Sequence, residues 1–169
     1  MKICYHLNMK KVALFEKVSK SQFALDCPDF DVYESLKLPK RATIGSAGYD
    51  FFSPFDFSLK AHETIKIPTG IRVLIDEGYF LQIFPRSSLG FKYKLQLDNT
   101  VGIIDSDYSN AKNEGHIMIK ITNNSENELV IKQNEAFAQG IFTKFYITYD
   151  DEVGEERIGG FGSTNKNND

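Results

Sequence analysis

The sequence predicts an all-β protein built from short strands separated by turns. Apolar residues alternate at period two in segments 71–75, 79–84 and 117–122, the spacing of strands with distinct faces. Aromatic residues are frequent, with 14 Phe and 8 Tyr, and aromatic side chains favour strands. Turn-forming residues at 68–70 and 123–125 separate these segments. Several short strands at this spacing indicate a sandwich or a barrel.

Helical signal is confined to the N-terminal third of the chain, over about residues 19–36. Ser19 or Ser21 can cap a short helix that runs through Ala24, because a side-chain oxygen at this position accepts an orphan backbone N–H. A second helix that ends near Leu36 has candidate caps at Asp29 and Asp31. We therefore expect two short helices ahead of the strand-rich region.

The chain of 169 residues has the length of one domain. Hydrophobic residues make up 41% and charged residues 25%, which excludes global disorder, a collagen-like chain and a coiled coil. From Asp150 onward the chain becomes acidic, then Gly-rich and polar. We expect a single domain over residues 1–150 and a C-terminal tail, 151–169, that is mobile without a ligand.

Charge and cysteine content exclude several classes of protein. The formal net charge is −3, whereas binding to bulk nucleic acid requires a basic face. Cys4 and Cys27 form no CxxC pair, so we expect thiols in a reducing cytosol rather than a disulfide framework or a zinc site. The apolar stretch at residues 12–15 is too short for a signal peptide. Together these features predict a cytoplasmic protein that binds neither membrane nor nucleic acid.

Two short segments combine small or polar residues in patterns that suit a phosphate ligand. Residues 45–48 are small and allow a close approach of the backbone, and Asp50 ends the segment 45–50, although a tight turn also explains it. Residues 85–90 follow the strand 79–84 and contain Arg86, Ser87 and Ser88. A guanidinium, hydroxyls and backbone amides can hold phosphate oxygens, and a helix with Ser87 as its N-cap is the alternative.

Two further segments carry polar groups next to apolar runs. In residues 99–108, Asp105 and Asp107 follow an apolar stretch and point the same way only if the strand continues. A carboxylate there can act as a general base or hold a metal, and an Asp-rich turn is the alternative. In residues 135–142, Gln139 lies inside an apolar strand, where a buried amide needs a hydrogen-bond partner. A hydrogen bond within the core would satisfy it.

Taken in order, these segments and the tail resemble the five motifs of the trimeric dUTPases, which hydrolyse dUTP to dUMP and pyrophosphate. The matching stretches are SAGYD, PRSSLG, NTVGIIDSDY, EAFAQGIF and RIGGFGST, which extend from residue 46 to residue 164. The resemblance implies a jelly-roll-like β-clip subunit in a homotrimer, with active sites at the subunit junctions. It also implies that the enzyme keeps uracil out of DNA and supplies dUMP for thymidylate synthesis.

The resemblance assigns roles in the third motif around the nucleoside. Asp105 matches the catalytic aspartate that deprotonates the water attacking the α-phosphorus. Tyr108 matches the tyrosine that packs under the deoxyribose and leaves no room for a 2′-hydroxyl. Asn99 matches an asparagine that reads uracil in some members, and the hairpin backbone that includes Gly102 and Ile104 excludes the thymine methyl group.

The same resemblance also assigns the phosphate-binding residues. Ser87 matches the serine that donates to the bridging region between the α- and β-phosphates, and Arg86 and Gln139 match phosphate-site residues. Ser88 stands in the same motif where glycine is common, and Asp50 matches a supporting carboxylate. Mg²⁺ is implied as the cofactor, held mainly by the triphosphate and water. No direct protein ligand is expected, and Asp50 is the candidate for an outer-sphere contact.

The tail resembles the fifth motif, which closes over a neighbouring subunit's site. Arg157 matches the arginine that clamps the phosphates, and Phe161 matches the phenylalanine that stacks on uracil. Ser163 and Thr164 match hydroxyls on the γ-phosphate, and Gly162 belongs to a glycine run that gives a lid its backbone freedom.

The chain departs from the family pattern after Tyr108. Many members have Arg-Gly at that point, whereas here SNAKNEG follows and Gly115 arrives about five residues late. We expect a longer hairpin there, and we expect the insert 109–114 and the segment 17–40 to be solvated loops. Either could carry an added regulatory role.

Two other functions are compatible with parts of the pattern. The dCTP deaminases share the fold and a similar second motif, but they need a glutamate where this chain has Lys120, and they lack the GGFGST tail. A trimeric nucleotide-binding module without turnover is the second alternative. The presence of Asp105, Ser87 and the tail motif favours the hydrolase.

Overall fold

Strands dominate the computed structural model, which describes residues 9–27 and 30–154. Twelve strands and two α-helices lie in those ranges. The helices are α1 (Lys20–Asp26) and α2 (Ser87–Tyr93). The strands are β1 (Ala13–Lys17), β2 (Lys40–Arg41), β3 (Tyr49–Phe52), β4 (Phe57–Leu59), β5 (Thr64–Pro68), β6 (Ile71–Ile75), β7 (Tyr79–Pro85), β8 (Gln96–Leu97), β9 (Gly102–Ile104), β10 (Met118–Thr122), β11 (Leu129–Ile131) and β12 (Ala136–Lys144).

The strands pair in antiparallel fashion into one larger sheet and three smaller ones. The larger sheet has the order β2-β3-β12-β7-β9, and a second sheet has the order β5-β10-β8. Strand β1 pairs with β6, and β4 pairs with β11. The period-two segments of the sequence form β6, β7 and β10, so the all-β prediction is confirmed. Because sequence-distant strands are neighbours in the larger sheet, the segments 45–50, 85–90 and 135–142 come together.

One main core fills the space between the sheets. Alternate residues of β7 and β10 are fully buried in it, as are Phe51 of β3 and Phe137 of β12. Burying one large apolar side chain contributes roughly 1.5–3 kcal/mol relative to leaving it exposed. The core therefore fixes the strands that carry the candidate site residues.

A second, smaller cluster belongs to the N-terminal segment. Val18, Phe23, Cys27 and Leu36 are buried together. Helix α1 is capped by Ser19, whose side chain accepts a hydrogen bond from the Gln22 backbone N–H at 3.1 Å, as predicted. The second expected helix is a 3₁₀ helix, Phe30–Ser35, rather than an α-helix. Cys4 and Asp29 lie outside the described residues, so the predictions that involve them stay predictions.

Helix α2 begins one residue earlier than an N-cap at Ser87 would place it. Arg86 occupies the N-cap position and Ser87 is the first helical residue, so the prediction of Ser87 as the N-cap is wrong. The reason is the sheet: the pairing of β7 with β12 ends at Pro85, and Arg86 is the last extended residue, with its backbone N–H donating to the Phe137 carbonyl at 3.2 Å. Within residues 9–27 and 30–154, no helix is long and apolar enough to cross a membrane.

Candidate active site

A cleft of about 380 Å³ opens where β3, β12 and the end of β7 meet. Sheet register places Gln139 of β12 directly between Asp50 of β3 and Phe84 of β7. The walls combine small residues with the polar side chains that the sequence had singled out in three separate segments. We call this the phosphate cleft, and it is lined by Ala42, Ser46, Ala47, Gly48, Asp50, Arg86, Ser87, Gln139 and Ile141.

An ion pair orients the cationic group of the phosphate cleft. Arg86 Nε lies 3.4 Å from Asp50 Oδ1, and the Arg86 side chain is 41% exposed while that of Asp50 is 20% exposed. A guanidinium has five N–H donors in a planar fork, so one pairing leaves donors for phosphate oxygens. Asp50 therefore holds Arg86 in place and leaves the cleft with a fixed positive group.

Gln139 lines the phosphate cleft and lies against Gly48 of the first motif. Its Nε2 donates to the Pro85 carbonyl at 3.3 Å, which is the partner that a half-buried amide requires. A Cβ at Gly48 would lie 2.6 Å from Gln139 Oε1. The glycine therefore lets the backbone lie against the Gln139 amide, and a side chain here would force that amide to move.

The two serines of the second motif sit at different places relative to the cleft. Both side chains are exposed at the start of α2. Ser87 lines the phosphate cleft, whereas Ser88 does not. The structure thus brings Asp50, Arg86, Ser87 and Gln139 together and leaves Ser88 beside them.

A separate pocket of about 380 Å³, here called the hairpin pocket, lies beside the turn between β8 and β9. Asn99, Gly102 and Ile104 line it, together with apolar residues of β7 and β10. At its wall Lys120 Nζ lies 2.7 Å from Asp98 Oδ2. The hydrogen bond from Lys120, followed by that from Thr122, lowers the pKa of the Asp98 carboxyl. The pocket is therefore mostly apolar with a few fixed polar groups, the usual character of a small-molecule site.

The chain turns sharply at the two aspartates of the third motif. Strand β9 ends at Ile104, and a 3₁₀ helix, Ser106–Asn110, follows at once. Asp105 occupies the N-cap position of that helix and is half-buried. Asp105 and Asp107 are therefore not on one continued strand, and only Asp105 directly follows the β9 residue Ile104 that lines the hairpin pocket.

Tyr108 is buried immediately after this turn. Its side chain is 4% exposed in the main core. The hydroxyl donates to the His116 carbonyl at 3.1 Å, and Asn113 Nδ2 donates to the same hydroxyl at 3.1 Å. The ring is therefore anchored at its polar end.

The phosphate cleft and the turn at Asp105 lie far apart within one chain. Strands β7 and β9 are antiparallel, with Leu81 opposite Ile104 and Ile83 opposite Gly102. This register puts Asp105 beside Phe80, six residues along β7 from Arg86, a separation of roughly 20 Å. The phosphate cleft and the hairpin pocket also share no lining residue.

Family comparison decides the assignment. The sequence model of the dUTPase family matches residues 34–165. The chain belongs to the dUTPase family. It is 39% identical over 157 residues to a deoxyuridine 5′-triphosphate nucleotidohydrolase of Lactococcus lactis subsp. lactis, covering 91% of this chain and 98% of that relative. It is 40% identical over 150 residues to the protein of that name from Paraburkholderia xenovorans, covering 84% and 98%.

Solved dUTPase structures show the same fold. The dUTPase of Streptococcus mutans superposes with a TM-score of 0.63 at 36% identity, covering 79% of this chain and 97% of that one. The dUTPase from phage phi11 of S. aureus gives a TM-score of 0.64 at 21% identity, covering 86% and 97%. At 21% identity the similarity concerns the fold alone. These matches confirm the resemblance found in the sequence and the all-β dUTPase fold.

The structure describes four of the five dUTPase motifs. Motifs one to four lie within the described residues. The fifth does not: Arg157, Phe161, Gly162, Ser163 and Thr164 lie outside them, so their roles stay predictions. Among residues 9–27 and 30–154, no group of three or more His, Cys, Asp or Glu side chains is arranged to hold a metal ion. The carboxylate in the phosphate cleft, Asp50, is instead paired with Arg86.

Several polar groups around the hairpin pocket were not identified from the sequence. Lys66 and Asp98 line the hairpin pocket beside Lys120, which the sequence had linked only to the deaminase alternative. The lysines were partly predictable, because Lys66 and Lys120 are the exposed central residues of β5 and β10 and face each other in register. Recognising Asp98 required the pairing of β8 with β10, which no local pattern reveals.

Proposed function

We propose that this chain hydrolyses dUTP to dUMP and pyrophosphate, by attack of water on the α-phosphorus. One observation carries the proposal: sheet register brings Asp50, Arg86, Ser87 and Gln139, from three separate motifs, into one cleft. The names of the relatives in Lactococcus and Paraburkholderia support the choice of substrate. This activity would remove dUTP before its use in DNA synthesis and supply dUMP for thymidylate synthesis.

Asp105 is the proposed general base. Its half-buried carboxylate stands at the end of β9, next to the residue that lines the hairpin pocket. A positioned carboxylate of this kind accepts a proton from water and contributes roughly 10²–10⁴-fold to a rate. The attack is in line with the leaving pyrophosphate, and positioning supplies most of the remaining catalysis.

The phosphate cleft is proposed to hold the α- and β-phosphates. The Arg86 guanidinium, oriented by Asp50, pairs with phosphate oxygens, and Ser87 donates to the bridging region where charge develops. Gln139 completes the polar surface of the cleft, and Ser88 is proposed to assist from its place beside the cleft. Because Arg86 is fixed by its ion pair before substrate arrives, little reorganisation is needed at the moment of reaction.

The hairpin pocket is proposed to bind uracil. The backbone around Gly102 and Ile104 and the side chain of Asn99 read the base edge, and a close backbone leaves no room for a 5-methyl group. A site built to hydrogen-bond one edge also rejects cytosine, whose donors and acceptors differ. Tyr108 packs under the deoxyribose and excludes a 2′-hydroxyl.

We infer that the site is shared between subunits of a homotrimer. The roughly 20 Å between Asp105 and Arg86 of one chain is too great for both to act on the same α-phosphate. A complete site then needs the third-motif turn of one chain beside the phosphate cleft of another. A closed symmetric ring repeats this junction at every interface.

Mg²⁺ is the proposed cofactor, bound chiefly through the triphosphate. The donor set fits this arrangement, because the phosphate cleft offers the single carboxylate Asp50 among its lining residues and Mg²⁺ keeps several waters when it binds phosphates. When bound, the ion would neutralise phosphate charge. Asp50 would contact its water shell while continuing to orient Arg86.

The tail is proposed to act as a lid over residues of a neighbouring site. Deleting residues 155–169 removes Arg157 and Phe161 and should reduce turnover sharply without dissociating the trimer, because lids exclude water and strengthen charge contacts. Activity and sedimentation of the truncated chain test this. A trimer that dissociates on truncation would contradict a lid role.

The proposed function is tested by pyrophosphate release from dUTP, dCTP, dTTP and UTP, with Mg²⁺ and with chelator. Turnover of dUTP alone, lost on chelation, is expected. Ammonia release from dCTP would indicate a deaminase instead, although Lys120 lies in that enzyme's glutamate position and pairs with Asp98 here. Binding of dUTP without any turnover would indicate a nucleotide-binding module.

A further inference from the structure

The loop after Tyr108, residues 109–116, folds back tightly on itself. Gly115 has φ +71°, and a Cβ there would lie 2.7 Å from the Ser109 Cα and 2.9 Å from the Tyr108 carbonyl oxygen. Glu114 also has a positive φ, +58°, a left-handed conformation that is unfavourable for a residue with a side chain. We call this segment the insert loop, and its shape needs support from outside.

The N-terminal segment supplies that support at Glu114. The carboxylate accepts the Ser19 backbone N–H at 2.7 Å and the Ser19 hydroxyl at 2.6 Å. These hydrogen bonds, the side-chain one first, lower the pKa of the Glu114 carboxyl. The expectation that segment 17–40 and the insert are solvated loops is therefore wrong: they bind each other across 95 residues of sequence.

A second connection joins α1 to the end of the insert loop. His116 is fully buried, and its Nδ1 lies 2.6 Å from Asp26 Oδ2. Its Nε2 accepts the Gly70 backbone N–H at 2.8 Å, which requires the proton to sit on Nδ1 and to be donated to Asp26. Gln22 Nε2 also donates to Asp26 Oδ2 at 2.7 Å. Both ring nitrogens and the carboxylate are thus held in one orientation.

The same residue, His116, anchors the tyrosine of the nucleoside site. Its backbone carbonyl accepts the Tyr108 hydroxyl at 3.1 Å and Asn113 Nδ2 at 3.4 Å. His116 therefore joins Asp26 to Tyr108 by two hydrogen bonds, one from its ring to Asp26 and one from the Tyr108 hydroxyl to its backbone carbonyl. A shift of the Asp26 carboxylate would be transmitted to the Tyr108 ring through these two hydrogen bonds.

We propose that Asp26 and His116 are positioning residues for sugar discrimination: Asp26 fixes His116, whose carbonyl fixes the Tyr108 ring against a 2′-hydroxyl. This inference rests on the proposed function, which places Tyr108 under the deoxyribose. It gives the N-terminal segment a role in substrate choice rather than in stability alone. Neither Asp26 nor His116 touches the nucleotide.

Asp26→Ala removes the hydrogen bond between Asp26 and His116 and is the principal test. The preference for dUTP over UTP, as a ratio of kcat/KM, should fall about fivefold, the effect of losing one net hydrogen bond. Asp26→Asn retains an oxygen that accepts the His116 proton and should restore most of the ratio. Asp56→Ala is the matched control, because Asp56 also accepts two hydrogen bonds, from Gln133 and Lys132, elsewhere on the surface.

Tyr108→Phe removes the hydrogen bond to the His116 carbonyl without touching the N-terminal segment. It should lower the same ratio by a similar factor, and adding Asp26→Ala to it should change the ratio little further, because both variants interrupt the same connection. If Asp26→Ala does not fold, Tyr108→Phe still decides: an unchanged ratio in Tyr108→Phe overturns the proposal. So does an Asp26→Ala protein that loses thermal stability but keeps the wild-type ratio.

Calorimetric binding of dUMP and UMP separates this inference from the proposed function. The ratio of the two Kd values should also fall in Asp26→Ala, whether or not the wild type turns over dUTP. A wild type that binds dUMP selectively without hydrolysing dUTP would defeat the proposed function and leave the positioning role standing. Equal dUMP and UMP selectivity in wild type and Asp26→Ala would overturn the positioning role alone.

Discussion

The phosphate cleft and the insert loop are built by different physical means. Cleft residues Asp50 and Gln139 sit opposite each other in the register of β3 and β12, so regular backbone pairing holds them. The insert loop has left-handed backbone at Glu114 and Gly115 and is held by side chains from a segment about 90 residues away. One domain can thus hold a cleft by the register of a sheet and a nearby loop by side chains of a docked segment.

This difference predicts how each region responds to mutation. Arg86 and Gln139 should tolerate changes in α1, since the contacts that hold them run to Asp50 and to the Pro85 carbonyl. The turn that bears Asp105 and Tyr108 should respond to distant substitutions. The predictions below run from the largest expected effect to the smallest.

Asp105→Asn should reduce turnover of dUTP by about 10³-fold, because the amide cannot accept the proton of the attacking water. Nucleotide binding should be retained, since the side chain keeps its size. Steady-state kinetics and calorimetry on the same preparation measure both quantities. Asp76→Asn is the control: that carboxylate is exposed and lies 4.0 Å from Lys10, so its turnover should match wild type. Equal turnover in Asp105→Asn would remove this residue from the mechanism.

Arg86→Gln should lower kcat/KM for dUTP by about 100-fold, because a charge-assisted hydrogen bond to phosphate is lost. Arg86→Lys keeps the charge but not the planar fork, so it should recover only part of the loss. Thermal unfolding of both variants should stay close to wild type, since the Arg86 ion pair is partly exposed. A large drop in stability with little change in kinetics would show a structural role instead.

Gly48→Ala should lower kcat/KM about tenfold, because a Cβ would lie 2.6 Å from Gln139 Oε1 and displace that amide from the cleft. Gly45→Ala is a matched control three residues away, where a Cβ meets nothing within 4 Å. Comparing the two variants separates the close approach from general backbone effects. Similar kinetics in both would show that Gln139 can move without consequence.

Protein stability should fall modestly as pH drops from 7.5 to 5.5. Burial lowers the pKa of His116, with the hydrogen bond to Asp26 opposing that shift. The unfolded chain therefore binds a proton below about pH 6.5 that the folded chain resists, so stability is full above that pH and is lost as pH falls towards the folded pKa. Thermal unfolding across this range should show the slope.

The matched measurement is the same pH series on His116→Gln, in which the slope should flatten. Carboxyl groups with lowered pKa, including those of Glu114 and Asp98, lose their contribution only as pH falls through the acidic range below about 4.5. They therefore do not mimic the effect between pH 7.5 and 5.5. An unchanged slope in the variant would assign the pH dependence to another group.

Much of the sheet was predictable because its signals are local. Alternation in 71–75 and 79–84 gave β6 and β7 directly, and the order of motifs gave the family. The start of α2 was misplaced by one residue, because the pairing of β7 ends at Pro85 and puts the N-cap at Arg86 rather than at Ser87. Local propensity yields to register when the two conflict.

The support of the insert loop was not predictable from the sequence. Its contacts join Ser19 to Glu114 and Asp26 to His116, and no period or motif relates residues so far apart. The sequence did show that 109–114 is an insertion, and the structure shows what binds to it. Side-chain partners of irregular segments depend on the completed fold rather than on local pattern.

The central claim is that the cleft of one chain and the catalytic turn of another form one site, and mixing two inactive variants tests it most directly. Asp105→Asn and Arg86→Gln chains are co-expressed in equal amounts, and the mixed trimers are assayed for pyrophosphate release from dUTP. If each site takes Asp105 and Arg86 from different chains, random assembly leaves about a quarter of sites intact, and activity returns to that level. If both residues act within one chain, no intact site forms, and activity at the level of the two parents would contradict the account.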